Sequence, residues 1–440
     1  MQLKNSLSLS AFMAGILATF VGFSSSFAIV VQGLQGVGAS VAEAASGLLA
    51  LSLAMGLCGV LLSWRTRLPV TVVWSTPGAA FLATLAPPAG GFAVAVGAFM
   101  VSAALVVAAG LWRPLGRAVS AIPAPLASAM LAGVLLPLCL APFQAAVQFP
   151  ALGLPIILTW AVAARFSRLW AVPAAVAVAA VLIGLHVEFD GGGLQWWTPP
   201  VWVTPQFNIA AAVGIALPLF IVTMAGQNIT GIAALRSFGY RPPAGPLFAW
   251  SGAFSFLAAP FGGHAGNLAA ITMAMCAGAD AHPDPARRWP ASVVAGASLM
   301  VCGLVASAAV TFISLAPPIL IASVAGLALL GALATALAGA LEAARDRESA
   351  LITLLVTASG VTLFGVGGVF WGLLAGGALY WWEHRRDLGY GGGDGRGDGG
   401  GDGDGAGDGR GDGGGDGDSA GGGDGAGDAN TGDSNTTGDK

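Results

Sequence analysis

Long apolar runs, cut by short polar breaks, fill this chain up to residue 390. The breaks leave fourteen runs, at roughly 11–31, 44–63, 70–86, 91–110, 119–140, 151–164, 170–187, 209–230, 246–262, 264–277, 290–313, 318–341, 350–364 and 367–382. Many approach the length of about 20 residues that a helix needs to cross a bilayer. The pattern predicts an all-α polytopic membrane protein with fourteen transmembrane segments. The breaks carry a second signal. Lys4 precedes segment 1, and Arg65, Arg67, Arg113, Arg117, Arg165, Arg168, Arg236, Arg241, Arg287, Arg288, Arg345, Arg347, Arg385 and Arg386 follow the even-numbered segments in pairs. Every odd-numbered connection lacks Lys and Arg. Cationic loops stay on the cytoplasmic side, so the alternation predicts that both termini are cytoplasmic. The first run continues past the signal-like stretch ending at Ala28, and it reads as a retained first helix.

Composition agrees with this class. Hydrophobic residues make up 55% of the chain and charged residues 9%, against about a quarter charged in a soluble protein. The net charge of −4 hides a contrast, because residues 391–440 hold 12 Asp, 24 Gly and only three basic residues. That tail is too polar to bury surface against its chain entropy, and it reads as a disordered cytoplasmic extension of a 1–390 membrane domain. The basic loops are orientation signals, with no nucleic-acid surface implied. The four cysteines lie singly in apolar runs, with neither disulfide nor metal spacing.

Fourteen segments divide into two sevens, and an odd-numbered repeat inserts its second copy upside down. The long 188–208 connection, with Glu188, Asp190, Trp196, Trp197 and Trp202, falls at the boundary. Segments 3 and 10 then correspond, and both are broken. Segment 3 holds Pro77 and Gly78, and segment 10 opens with Pro260, Gly262, Gly263 and Gly266. Broken helices at matching places mark a midplane binding site, whose half-helix N-termini suit an anion.

Candidate chemistry gathers there. His264 is the ionisable side chain within the broken segment 10, and a pKa of about 6.5 for free imidazole suits reversible protonation. Asn267 flanks it. Gln227 and Asn228 are amides inside segment 8, while Ser24, Ser25, Ser26, Ser75 and Thr76 offer hydroxyls that equally serve their own helix backbones. Asp280, His282 and Asp284 share a Pro-rich loop that reads as structural rather than metal-binding. No nucleophile elbow, zinc-protease motif or phosphate-binding loop is present in the sequence. The expectation is therefore a transporter rather than an enzyme, without cofactor or metal and driven by an ion gradient.

Three stretches carry a family resemblance: WSTPGAAFLAT at 74–84, GQNITGIAALRSFGYRPP at 226–243, and PFGGHAGNLAAITMAMCAGADAHPDPARR at 260–288. Over residues 5–388 the chain resembles the benzoate/proton symporters of the BenE type, which are similar in fold to nucleobase permeases. The resemblance implies seven-plus-seven inverted repeats in the inner membrane of a bacterium. It implies a core domain (about 11–110 and 209–313), a gate domain (about 119–187 and 318–382) and a homodimer within membrane lipid. Nucleobase permeases place glutamates where this chain has Gln227 and His264. Losing fixed negative charge favours an anionic substrate. The implied function is proton-coupled import of benzoate or a similar aromatic carboxylate. A nucleobase symporter and a passive anion channel or uniporter are the alternatives. The expected site comprises backbone amides near Gly78 and Gly263, with Ser75, Thr76 and Asn267 on the carboxylate. Gln227 orients it, Phe23, Phe27 and Phe261 stack on the ring, and His264 takes the proton.

Overall fold

In the computed structural model of the protein, the described residues are 8–186, 197, 199–363 and 366–390. Lys4, the 391–440 tail, and Glu188, Asp190 and Trp196 of the long connection lie outside them.

The first two helices show how local sequence sets element ends. α1 (Leu9–Gly36) starts where the Ser8 hydroxyl accepts from the Ala11 amide. α2 (Val41–Thr66) starts with a reciprocal capping box between Ser40 and Glu43. Glu43 thus has a specific structural role at the start of segment 2. Segment 3 is a short strand, β1 (Val72–Trp74), followed by the eight-residue helix α3 (Thr76–Ala83). Next come α4 (Phe92–Leu111), the short α5 (Arg113–Ser120), α6 (Ala124–Gln148), α7 (Pro150–Phe166) and α8 (Arg168–His186).

The second half repeats the plan. α9 (Ile209–Ser237) contains two wide π turns, Ala212–Ala216 and Met224–Asn228. After α10 (Ala244–Ala258) comes a second strand, β2 (Gly266–Leu268), and a second eight-residue helix, α11 (Ala270–Ala277). α12 (Trp289–Leu304), α13 (Ala306–Leu315), α14 (Pro318–Leu341) and α15 (Arg347–Ala358) follow. The chain then forms a minimal hairpin of β3 (Thr362–Leu363) and β4 (Val366–Gly367), and ends its described part in α16 (Gly368–Tyr390). Each of the fourteen apolar runs carries a helix or a strand–helix pair. Run 290–313 carries two helices. Seven helices among the described residues are long and apolar enough to cross a membrane.

β1 and β2 pair antiparallel, with Val72 opposite Leu268, Val73 opposite Asn267 and Trp74 opposite Gly266. Equivalent strand–helix units meeting head to tail are what an inverted repeat requires. α2 lies along α12, α4 along α10, and α6 along α14 and α15. Small residues permit the closest of these approaches. A Cβ on Gly56 would sit 2.5 Å from the Gly296 carbonyl, and one on Gly296 would sit 2.5 Å from that of Gly56. α1 contacts α8 and α14, while α3 contacts α6, so these helices join the two groups expected as core and gate.

Candidate functional site

The crossing of β1 and β2 organises the centre of the molecule. Beyond the three paired residues, the Ser75 amide donates to the Ala265 carbonyl (2.7 Å), and the Ala269 amide donates to the Thr71 carbonyl (3.1 Å). The hydroxyls of Thr71 and Thr272 meet at 3.0 Å. Backbone at this depth has no water to satisfy it, so pairing the two interruptions with each other lets both helices break.

α1 covers the crossing with aromatic residues. Trp74 is fully buried, and its indole N–H donates to the Ser26 hydroxyl at 2.9 Å. Ser26 in turn donates to the Gly22 carbonyl at 2.7 Å. Phe23 meets Trp74 edge-on at 5.6 Å and stacks on Phe27 at 5.4 Å. Between Phe23, Trp74, Thr71, Thr272 and α12 lies a cavity of about 20 Å³. That is room for about one water molecule and none for an aromatic ring. A larger cavity, of about 440 Å³, lies at the C-terminal end of α3. There Thr84 just past α3, Pro137 and Gln144 of α6, and Thr357 of α15 line it. Thr357 Oγ1 is buried without a partner among the described residues.

The second π turn of α9 reaches the crossing from the other side. Asn228 is fully buried, its Oδ1 accepts from the Leu268 amide at 3.0 Å, and its Nδ2 contacts the Met224 sulfur at 3.2 Å. This side chain satisfies an amide at the end of β2. Asn228→Leu is expected to strand that amide and to destabilise the protein by about 1–3 kcal/mol, read as a fall in melting temperature. An unchanged melting temperature would rule out the role. Gln227 is half-buried, and no hydrogen bond to its side chain is found among the described residues.

His264 and Asn267 are both fully buried. Nδ1 of His264 accepts from the Ala265 amide at 2.6 Å, so in the neutral ring the hydrogen sits on Nε2. Asn267 donates to the Leu268 carbonyl at 2.9 Å. Nε2 of His264 and Oδ1 of Asn267 have no partner among the described residues. The His264 ring meets Phe99 of α4 edge-on at 6.4 Å.

The other candidate residues take the following places. The Gly78 amide donates to the Ser75 hydroxyl (3.1 Å), which caps α3, and the Gly263 amide donates to the Ala258 carbonyl (3.0 Å). Both are committed within the fold. Phe261 stacks edge-on with Trp202 at 5.3 Å and lines a groove between α2 and α10, apart from Phe23 and Phe27. His264 lies ahead of a strand, since β2 intervenes before α11 begins. Ser75 is fully buried and also accepts from the Thr223 hydroxyl of α9 at 3.1 Å. Thr76 is the first residue of α3 and half-buried.

The profile of the family described as benzoate membrane transport protein (BenE) matches residues 5–381. The chain belongs to this family. An inner membrane protein of Escherichia coli K12, YdcO, is 40% identical over 377 residues, spanning 84% of this chain and 94% of its own. A benzoate membrane transport protein of Acinetobacter baylyi is 34% identical over 383 residues, spanning 86% of this chain and 96% of its own. In fold the chain is similar to the transmembrane domain of a cyanobacterial bicarbonate transporter, BicA, with a TM-score of 0.57 at 16% identity over 83% of this chain and 97% of that one. SLC26A9 gives a TM-score of 0.56 at 12% identity, over 85% of this chain and 65% of that one. These likenesses show that this member of the BenE family shares the fold of those transmembrane domains.

Two positions in this BenE-family chain had no sequence signal. Trp74 is a structural donor to α1, although it stands in the quoted 74–84 stretch. Arg288, counted in the sequence as an orientation signal, is 8% exposed. It donates to the carbonyls of Ala277 (2.7 Å), His282 (2.6 Å) and Pro283 (3.0 Å). It therefore closes the C-terminus of α11 and fixes the loop holding Asp280, His282 and Asp284.

Proposed function

We propose that the protein is a multi-pass inner-membrane carrier that imports benzoate or a similar aromatic carboxylate together with protons, by alternating access and without covalent chemistry. The observation that carries this reading is the antiparallel meeting of two broken crossings in a chain of the benzoate membrane transport family. The Acinetobacter relative's name supplies the substrate class, and the Escherichia coli relative's name supplies the membrane.

The carboxylate cradle in this reading is the start of α11. That helix starts without a side-chain cap, and a Cβ on Gly22 of α1 would lie 2.9 Å from Thr272 in its first turn. Uncapped N–H groups and the positive end of the dipole suit a carboxylate there. Phe23 and Phe27 offer ring faces beside it. The half-buried Gln227 supplies a neutral amide for orientation. The about 20 Å³ cavity beside Phe23 and Thr272 is this site in its closed form.

Proton coupling follows from His264. Protonation puts a hydrogen on Nδ1, the atom that accepts from the Ala265 amide. Two donors then face each other, and the Ala265 amide must turn away. Ala265 also accepts from Ser75, so the shift reaches the start of α3. Protonation therefore biases the geometry of both half-helices, and movement of α6 and α14 against them provides access to alternate sides.

Uptake of labelled benzoate by proteoliposomes tests the substrate class. Unlabelled aromatic carboxylates are expected to compete and uracil to have no effect. Competition by uracil would favour the nucleobase alternative. Preloading the vesicles with unlabelled benzoate is expected to accelerate labelled uptake, as in a carrier; no acceleration would indicate a channel.

A further inference from the structure

Away from the crossing, α2 and α10 enclose a surface groove in two sections that share Phe254. One section is almost wholly apolar, running past Leu49, Leu53 and Leu57 of α2 to Phe261. The other has a volume of about 400 Å³ and changes character along its length. It is apolar at Cys58, Leu61 and Phe254, aromatic at Trp64 and Trp250, and cationic at Arg65 and Arg67. From Cys58 to Arg67 the helical rise covers about 14 Å. That is half of a hydrocarbon core of about 30 Å, or one leaflet.

We propose that this section binds one anionic phospholipid from the leaflet on the arginine side. An acyl chain lies along Leu61 and Phe254. Trp64 and Trp250, about half exposed at 55% and 49%, sit at the headgroup boundary where indoles partition. The phosphate meets Arg65 and Arg67. Charge complementarity selects an anionic headgroup over a zwitterionic one.

Arg67 supports the assignment through its backbone. It ends α2 in the left-handed region, with φ 58° and ψ 24°, and is the one non-glycine residue with positive φ among the described residues. Glycine is the usual residue in that conformation. An arginine there points to a use for the side chain. Its guanidinium lies 4.3 Å over the Trp289 ring, at the first residue of α12, which holds the charge beside the groove. The lipid thus contacts α2 and α10 together and braces this end of their packing.

Native mass spectrometry of the full chain, reconstituted with equal phosphatidylglycerol and phosphatidylcholine, tests the proposal. The wild type is expected to retain one phosphatidylglycerol in preference to phosphatidylcholine. Arg65→Gln is expected to lower that preference about fivefold, the effect of one basic side chain near a membrane surface. Leu61→Trp fills the groove without changing charge and is expected to lower retention similarly. Arg236→Gln removes a charge outside the groove and is expected to leave it unchanged. Equal retention of both lipids, an undiminished preference in Leu61→Trp, or an equal loss in Arg236→Gln would overturn the site. Displacement of the lipid by saturating benzoate would overturn it too, marking the groove as a site for small anions.

Discussion

Gly266→Ala is expected to abolish transport and to destabilise the protein by about 1–3 kcal/mol, the usual cost of overpacking a filled interior. Gly266 faces Trp74 across the strand pair, and its amide donates to the Ser255 hydroxyl of α10 at 2.9 Å. A Cβ there collides with the sulfur of Met55 on α2. Methionine adapts readily, but Met55 is fully buried and has little room to retreat. The strand must move instead, and its movement breaks the pairing on which both half-helices depend. The second change Met55→Ala removes the obstacle. Gly266→Ala/Met55→Ala is therefore expected to recover part of the melting temperature and of the uptake. If the double variant is no better than the single, steric exclusion at this strand is not the reason for the glycine.

The second large effect is on coupling. His264→Ala is expected to reduce proton-gradient-stimulated benzoate uptake to the level of protein-free vesicles. Benzoate counterflow at equal pH is expected to survive, slowed by less than about tenfold. The distinction follows from position. His264 contributes no side-chain atom to the cavity by Phe23 and Trp74, so removing it spares the substrate contacts. It does remove the one imidazole whose proton exchange alters the Ala265 amide. His264→Asn, which keeps a polar side chain near that amide, is expected to fold normally and to show the same loss of coupling. Unchanged gradient stimulation in either variant would assign the proton pathway elsewhere.

Much of the architecture could be read directly from the chain because two independent physical signals coincide. Apolar run length reports what a bilayer accepts, and the Arg pairs at every second break mark where runs end. Every run then carries at least one helix. The interruptions just before Pro77 and at Gly262–Gly263 were equally legible, since proline starts a helix rather than continuing one and glycine opposes a continuous helix. The strands within them were not. Val72–Trp74 and Gly266–Leu268 span three residues each, too short for a two-residue period to emerge. What makes them strands is each other, across almost 200 positions of sequence.

The site divides along the same line. Phe23, Phe27 and Trp74 do gather, whereas Phe261 turns toward Trp202. The commitment of the Gly78 amide was foreshadowed by Ser75 and Pro77, a cap and an early helical proline. The π turn was not legible, because its residues have ordinary helical preferences. The turn brings Asn228 to its partner, the Leu268 amide, which lies 40 positions away in sequence. Arg288 shows the limit of counting charges: as one of a pair it looks like an orientation signal, yet it is a buried cap for three carbonyls.

Benzoate and protons are expected to move together through this protein. The most direct measurement is the pH of a lightly buffered suspension of proteoliposomes at pH 7.5 when benzoate is added. Carboxyl groups of pKa near 4 leave only about one part in three thousand neutral at that pH, and protein-free vesicles give the contribution of that neutral acid. The account predicts alkalinisation of the external medium, faster than in protein-free vesicles and lost in His264→Ala. Benzoate entry through the wild-type protein with no accompanying proton uptake would contradict it.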